Sequence, residues 1–257
     1  MIGEMFVDST RPLYPVVERR AGLPTLDSIL IRMAELDNAP VEQLIERSLD
    51  SSFDAENEVG NPKSISSWDA IGALAIRADD EVLEAAKRLL ESRDPWHRAR
   101  GANIPGHFKE GVRTGERFDA LSAALDTEED DRTLSSPIHS IGHLHDPRCL
   151  CVFFRFVGHP NREVRRAVAM SMHADWGESA VAALCELCAD QWVGVRDWAT
   201  FQFRTSDVDS DEIRRCLKAR IHDPDPPTRG EAVCALARRH DLACLKQLIG
   251  DLGNLDA

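Results

Sequence analysis

Apolar residues follow helical spacing through most of this chain. The stretch 82–90 carries apolar residues at intervals near 3.6, and the stretch 213–221 does the same. Each such stretch is bounded by polar residues that include Asp, Asn, Pro or Gly, which end one helix and begin another. The pattern therefore predicts an all-α protein built from short amphipathic helices.

One turn recurs along the chain at a nearly fixed interval. A turn residue, often Asp before Pro, is followed six residues later by Arg and then by small and apolar residues at helical spacing. The later steps span about 31 residues (159 to 190) and about 33 residues (190 to 223). Helical repeats are predicted to begin near residues 61, 94, 126, 159, 190 and 223.

The remaining chain is assigned around this array. Apolar residues at helical spacing in 25–50 predict helices that cap the first repeat, and residues 1–24 are expected to form an extended segment. A single helical pair cannot bury its apolar stripes, whereas stacked pairs share a continuous core. Residues 25–257 are therefore predicted to be one solenoid of about six helical hairpins.

Several segments give this pattern a family resemblance. The sequences HPNREVRRAVA (159–169), VGVRDWATF (193–201) and DPDPPTRGEAVCALARR (223–239) are similar to bacterial HEAT repeats, including their phycobilin-lyase-like members. The resemblance implies a right-handed α-solenoid, and HEAT domains mostly serve as interaction scaffolds. No motif of the lyases can be placed on individual residues of this chain.

In that family the repeated Arg and Asp tie successive turns together, which implies a structural role for the recurring arginines. The alternative is that the same side chains bind an anion. The predicted ladder comprises Arg100, Arg132, Arg165, Arg196 and Arg229.

Two units depart from the regular pattern. Counted from 94 and from 126, Pro105 and Pro137 fall in one column, and His107 and His139 fall two residues later. Proline inside a helix removes a hydrogen bond, so two such helices side by side would open a cleft with His107, His139 and His143 as candidate ligand or metal residues. The opposing interpretation is that the two repeats have drifted and the histidines fill half-buried positions.

Exposed aromatic residues are the candidates for binding a partner. Trp96 and Trp192 each lie two residues after their turn residue, where other units carry polar side chains. Either they are exposed interaction anchors or their rings fold over a neighbouring turn. Asp197 and Trp198 complete the predicted partner-binding set.

The cysteines and the densest acidic run have less specific interpretations. The seven cysteines lie in apolar helical patterns and are interpreted as core residues, although Cys185-Glu-Leu-Cys188 is a lone metal-type pair. The run Asp126 to Asp131 indicates a solvated loop, with a basic partner as the alternative.

Charge and motif content limit the functional classes. A net charge of −13 disfavours nucleic acid as a ligand, and neither a signal peptide nor a membrane span is found, so a cytoplasmic protein is expected. No catalytic motif lies in a supporting helix or turn, so neither an enzyme nor a cofactor is predicted. Three hypotheses follow: a scaffold that binds a partner protein on its concave surface or ridge, an immunity protein that masks a basic toxin domain, and a metal- or ligand-binding protein that uses His107 and His139. In the first, the concave surface is expected to be built from the second amphipathic stretch of each unit, such as 82–90 and 213–221.

Overall fold

A computed structural model describes residues 35–50, 67–245 and 249. Within these ranges the chain forms helices and turns and contains no strand. The helices are α1 Val41–Leu49, α2 Ser67–Arg77, α3 Asp80–Leu90, α4 Pro95–Gly106, α5 Thr114–Thr127, α6 Asp131–Gly142, α7 Cys149–Phe153, α8 Arg162–Ser171, α9 Glu178–Cys188, α10 Val193–Thr205, α11 Asp211–Arg220 and α12 Pro226–Arg238. The all-α solenoid predicted from the sequence is confirmed.

Short polar side chains cap the N-terminus of most helices that follow a turn. The carboxylates of Asp94, Asp130 and Asp225 and the amide oxygen of Asn161 each accept a backbone N–H from the first turn of the next helix. These contacts satisfy N–H groups that have no partner within the helix. The polar residues between the apolar stretches therefore set where the helices start.

The turns lie inside the helical hairpins. Most turns join two helices that pack closely, such as α3 with α4 and α9 with α10, whereas α4 contacts α5 only weakly. The sequence analysis began each unit at the turn, and the structure moves the unit boundary to the far end of the following helix. Each hairpin therefore consists of the helix before a turn and the helix after it.

The helices form two layers of unequal spacing. The inner helices α2, α4, α6, α8, α10 and α12 follow the turns and pack against one another in sequence, while the outer helices α3, α5, α7, α9 and α11 contact each other mainly between α9 and α11. In a curved stack the closely spaced layer lies on the concave side. The prediction that stretches such as 82–90 and 213–221 form the concave surface is wrong.

The apolar core of the described residues divides into two clusters that meet at α4. Ile104 and Phe108 pack with the N-terminal helices, while Ala102 packs with the helices from α5 onward. Helix α1 covers the N-terminal end by burying Val41 and Leu44 in the first of these clusters. This is the capping contact that an exposed end of a stack requires.

Some predicted boundaries lie outside the described residues. These are the extended segment 1–24, the first part of the 25–50 cap and the repeat start near 61.

The guanidinium of Arg77 at the end of α2 donates to the backbone carbonyls of Leu36, Asp37 and Ala39, with the shortest bond 2.6 Å to Ala39. The described part of the cap is therefore bound to the first inner helix.

Candidate functional site

The same hydrogen bond recurs at one position of the turn in five units of the described residues. The side chain at this position accepts the backbone N–H of the residue two positions later, and the donor residue usually caps the next helix. The turn position is occupied by Ser92, Glu128, His159, Asp190 and Asp223. This geometric register is the reference for all other positions in the units.

Arginines six residues after the turn position form a ladder between turns. Arg165 Nη1 donates to the carbonyls of its own turn, and its Nε and Nη2 bind the carboxylate of Asp190 in the next turn at 2.6 and 3.0 Å. Arg196 repeats the arrangement with Asp223 at 2.8 and 3.0 Å. Arg229 donates to the carbonyls of Asp223 and its neighbour. These contacts are those that a structural ladder requires.

Two members of the predicted ladder are wrong. Arg98, and not Arg100, lies six residues after Ser92, and it binds the Glu128 carboxylate with two bonds of 2.8 Å. The corresponding residue after Glu128 is Leu134, while Arg132 is exposed and binds only the neighbouring Asp130. The sequence analysis placed one turn at residue 94, two residues after Ser92, and the next at residue 126, two residues before Glu128.

Arg100 instead supports an aromatic cluster at the N-terminal end of the array. Its guanidinium carbon lies 4.1 Å from the ring centre of Trp96 and 5.1 Å from that of Trp68, and its Nη2 donates to Ser67 at 3.3 Å. Trp96 also donates its ring N–H to the carbonyl of Leu49 at 3.0 Å. Trp96 therefore connects the cap to the first turn, although 38% of its surface is exposed.

The two tryptophans of the predicted column occupy different positions. Trp192 lies directly at the start of α10, whereas Trp96 follows the capping residue of α4 by two positions. The Trp192 ring packs against the core and lies 4.6 Å below the Arg162 guanidinium. Both rings therefore contact their own chain, and the Trp96 ring is also exposed.

Trp198 belongs to an aromatic patch on the concave surface. Its ring meets that of Phe201 edge to face at 5.4 Å, and the Arg204 guanidinium lies 4.7 Å from the Phe201 ring. Met170 holds the position on α8 that Phe201 holds on α10, and all three apolar side chains are half-buried. We call Trp198, Phe201, Arg204 and Met170 the inner patch.

The charged side chains in and beside the inner patch interact with other residues of the chain. Arg204 forms an ion pair with Glu231 of α12, and Asp197 also interacts within the chain. Phe201 and Met170 escaped the sequence analysis because each looks like an ordinary core residue in a helical pattern. Aligning the units on the turn position identifies both as residues that point away from the core.

The geometric register also changes the histidine columns. Pro105 and Pro137 both lie inside helices, but they occupy different positions relative to Ser92 and Glu128. His107 therefore corresponds to His143 and not to His139, and the rings of His107 and His143 lie 5.6 Å apart between centres. The predicted proximity of the three histidines holds, but their pairing differs.

His139 and His143 form the closest pair of this group. They lie one turn apart on α6, and their Nε2 atoms are 3.0 Å from each other. Burial lowers the pKa of His139 to about 4, and it lowers that of His143 to about 3, with the neighbouring histidines contributing. Both imidazoles are therefore neutral at pH 7, and one shares its ring proton with the other.

Two histidines that the sequence analysis missed extend the group. The rings of His145 and His173 lie 5.1 Å apart, and that of His173 meets Trp176 at 4.9 Å. Both residues follow the ends of inner helices, so a search for helical spacing does not connect them. Within the described ranges, no three His, Cys, Asp or Glu side chains are placed to share one metal ion.

Neutral buried histidines predict a pH-dependent stability. Because the pKa values of His139 and His143 are lower in the folded state, the unfolded chain binds more protons between about pH 6.5 and pH 4. Stability is retained above this window and falls as the pH drops through it, by roughly 2 kcal/mol for each of the two histidines at pH 5. Denaturant unfolding at pH 7.5 and pH 5 should show this loss in the wild type and a smaller one in His139→Gln/His143→Gln. An equal loss in both proteins contradicts the assignment.

The cysteines are distributed between core and surface. Cys149, Cys188 and Cys244 are buried, but Cys151 and Cys234 are exposed, so the core interpretation is wrong for those two. A cavity of about 310 Å³ between α9 and α11 is lined by the three thiols of Cys185, Cys188 and Cys216, with Glu212, Arg215 and Arg220. Hydrogen bonding to Cys216 and burial raise the pKa of the Cys185 thiol, which stays protonated.

The acidic run at 126–131 is largely occupied by internal contacts. Asp126 binds Arg155 at 2.7 Å, Glu128 binds Arg98, and Asp130 caps α6 while it binds Arg132. Asp131 accepts a hydrogen bond from the Asn161 amide at 3.3 Å. The run therefore connects neighbouring units, while Asp126, Glu129 and Asp131 remain exposed to solvent.

Comparisons with known proteins agree with this architecture. Residues 118–204 match the family model described as HEAT repeats. The X-ray structure of YibA from Escherichia coli has a TM-score of 0.65 at 18% identity and covers 90% of this chain and 82% of that chain. A designed armadillo repeat protein in complex with the peptide (KR)4 has a TM-score of 0.48 at 12% identity and covers 78% of this chain and 99% of that chain.

No curated protein matches the sequence significantly. The likeness to YibA shows the fold, and the family model identifies the repeat type in the centre of the chain. Residues 118–204 therefore carry HEAT repeats, within a helical repeat fold that the likeness to YibA extends over most of the chain. No helix in the described residues is both long and apolar enough to cross a bilayer.

Proposed function

We propose that this chain is a non-enzymatic scaffold that binds a partner protein on the concave surface of its inner helices. The observation that carries the proposal is the inner patch, where aromatic and thioether side chains occupy solvent-facing positions on adjacent helices. Half-buried Trp and Phe beside Arg are the residue types that dominate binding energy in protein interfaces. HEAT-type solenoids present such surfaces along their concave side.

The geometry favours an anchoring role for the inner patch. The edge-to-face contact between Trp198 and Phe201 and the Arg204 guanidinium over the Phe201 ring fix these side chains before a partner arrives. Fixed side chains lose less conformational entropy on binding, so more of the contact energy contributes to affinity. Trp96 and Trp192 lie at the starts of α4 and α10, outside the inner patch.

Site-specific photocrosslinking tests the proposed surface. A benzoylphenylalanine at position 201 should crosslink a partner in native lysate, because this position lies within the inner patch. The same group at position 186, an exposed site on outer helix α9, should give no such product. Crosslinks from position 186 but not from position 201 would place the interface on the convex layer and overturn the proposal.

A basic partner is the second candidate, and it includes a toxin domain masked by an immunity protein. The net charge of −13 favours this candidate because opposite charges accelerate association. The inner patch itself is not acidic, since Arg204 lies within it and Asp197 interacts within the chain. If the partner is basic, the attraction comes from the net negative charge of the whole chain, so the association rate should fall steeply as the ionic strength rises. An association rate independent of salt would exclude this candidate.

A further inference from the structure

His139 and His143 are arranged as a bidentate chelating pair. They lie four residues apart on α6, which places both imidazoles on one face of the helix. Their Nε2 atoms lie 3.0 Å apart, and both side chains are half-buried. The pair therefore presents two nitrogen donors at a fixed separation.

The distance between the two Nε2 atoms suits chelation of one transition-metal ion. Imidazole nitrogens bind such ions at about 2.0–2.1 Å, so two nitrogens 3.0 Å apart subtend an angle of about 90° at the metal. This angle is that of adjacent positions in tetragonal or octahedral coordination, whereas tetrahedral zinc needs a wider one. Copper(II) and nickel(II) are the ions with that preference and a high affinity for imidazole.

The surroundings hold the rings in a state that can bind an ion. The Nδ1 atom of His139 lies 3.4 Å from the Ser171 hydroxyl on α8, which can accept the ring proton when Nε2 coordinates a metal. The ring proton now shared between the two Nε2 atoms would move to an Nδ1 position, so both imidazoles stay neutral and no proton is released. Burial keeps the pKa values of both rings far below 7, so protons do not compete for the nitrogens at neutral pH.

Other titratable and charged groups face the pair from the packed helices. These are His107 from α4, Arg166 from α8, and His145 and His173 near the helix ends. The Nδ1–H of His107 donates to the Asn103 carbonyl at 2.8 Å, which leaves its Nε2 without a proton in the neutral ring. Arg166 is offset by its ion pair with Glu163 at 3.0 Å. The local charge therefore allows a cation, although no carboxylate completes a closed site.

We propose that His139 and His143 chelate one divalent nickel or copper ion at the end of α6, with water in the remaining coordination positions. The site is open because the described residues provide no third ligand side chain at the same point. Counted from the turn position, His139 holds the place on α6 that Met170 holds on α8, so the site adjoins the inner patch. The metal site can be tested without the partner protein.

Isothermal titration of the full chain with nickel chloride tests the proposal. After treatment with a chelator, the wild type should bind one nickel ion per chain in a buffer without metal ligands. His139→Ala and His143→Ala should each weaken binding at least tenfold, because a single imidazole loses the chelate effect. The control His222→Ala, which removes an exposed histidine from a turn, should leave the affinity within twofold.

Two further measurements keep the test decisive. Circular dichroism without metal establishes that each variant is folded, and His143→Gln preserves side-chain volume where the alanine variant is unstable. Nickel should raise the melting temperature of the wild type but not that of His143→Gln. Binding that is unchanged in both folded histidine variants, or absent from the wild type, would overturn the proposal.

Discussion

Replacing Asp223 with Ala is expected to lower the free energy of unfolding by about 3–5 kcal/mol. Asp223 is almost fully buried at a turn position, where its carboxylate binds Arg196 at 2.8 and 3.0 Å and Arg220 at 2.9 Å. It also accepts the Asp225 N–H at 3.0 Å. Its removal leaves two guanidinium groups and one backbone donor without their acceptor, and buried groups of this kind are costly when unpaired.

The measurement is urea unfolding followed by circular dichroism, with Arg132→Ala as the matched control. Arg132 has an exposed ion pair with Asp130, so its loss should change stability by no more than about 0.5 kcal/mol. Asp223→Asn should fall between the two, since the amide oxygen can still accept the Asp225 N–H. A loss from Asp223→Ala no larger than that of the control would show that the ladder contributes little.

Gly101→Ala is expected to destabilise the second hairpin by about 1–3 kcal/mol. A Cβ at position 101 would lie 2.7 Å from Leu89 Cβ, 2.8 Å from the Leu90 backbone nitrogen and 2.9 Å from the Ala86 carbonyl oxygen. Two of these atoms belong to the backbone of α3, so the clash is relieved only by moving α3 away from α4. The loss of packing outweighs the gain in helix propensity of about 1 kcal/mol.

Gly72→Ala provides the opposite expectation in the same fold. Gly72 lies inside α2, and a Cβ there would meet no other atom within 4 Å. The substitution should therefore raise stability by about 0.5–1 kcal/mol through helix propensity alone. Thermal unfolding of both variants gives the comparison, and stabilisation by Gly101→Ala would contradict the close approach of α3 and α4.

The repeat architecture could be predicted because stacking imposes its period on the sequence. Turns near 159, 190 and 223 carry the full Asp or Pro and Arg pattern, and the ladder contacts of Arg165, Arg196 and Arg229 follow the register assigned from sequence. The prediction works in these units because each side chain donates to the carbonyls of its own turn, and Arg165 and Arg196 also bind the carboxylate of the next turn. Local sequence and long-range packing agree there.

The register could not be predicted between the turns at Ser92 and Glu128. This step is longer than the later ones, because α4 is followed by the connection 107–113 before α5 begins. Asp94-Pro95 was taken as the turn, but Asp94 is the capping residue and Pro95 the first residue of α4. Capping residues before each inner helix would have given the correct register, and with it the pairing of His107 with His143.

The inner patch was only partly predictable for a different physical reason. Trp198 stands out in the sequence, but Phe201 and Met170 become surface candidates only when the concave layer is known. That layer depends on which helices pack more closely, and helical spacing alone does not encode the curvature of a stack. Sequence reasoning assigned the concave surface to the outer helices and so did not connect these residues.

The affinity of the crosslinked partner for inner-patch variants tests the proposed function most directly. Once the partner is identified and purified, Trp198→Ala and Phe201→Ala should each weaken binding at least tenfold, while Glu186→Ala on the outer layer should stay within twofold. Both inner-patch variants should retain the wild-type circular dichroism spectrum. Wild-type affinity in both folded variants would contradict the assignment of the partner surface to the concave layer.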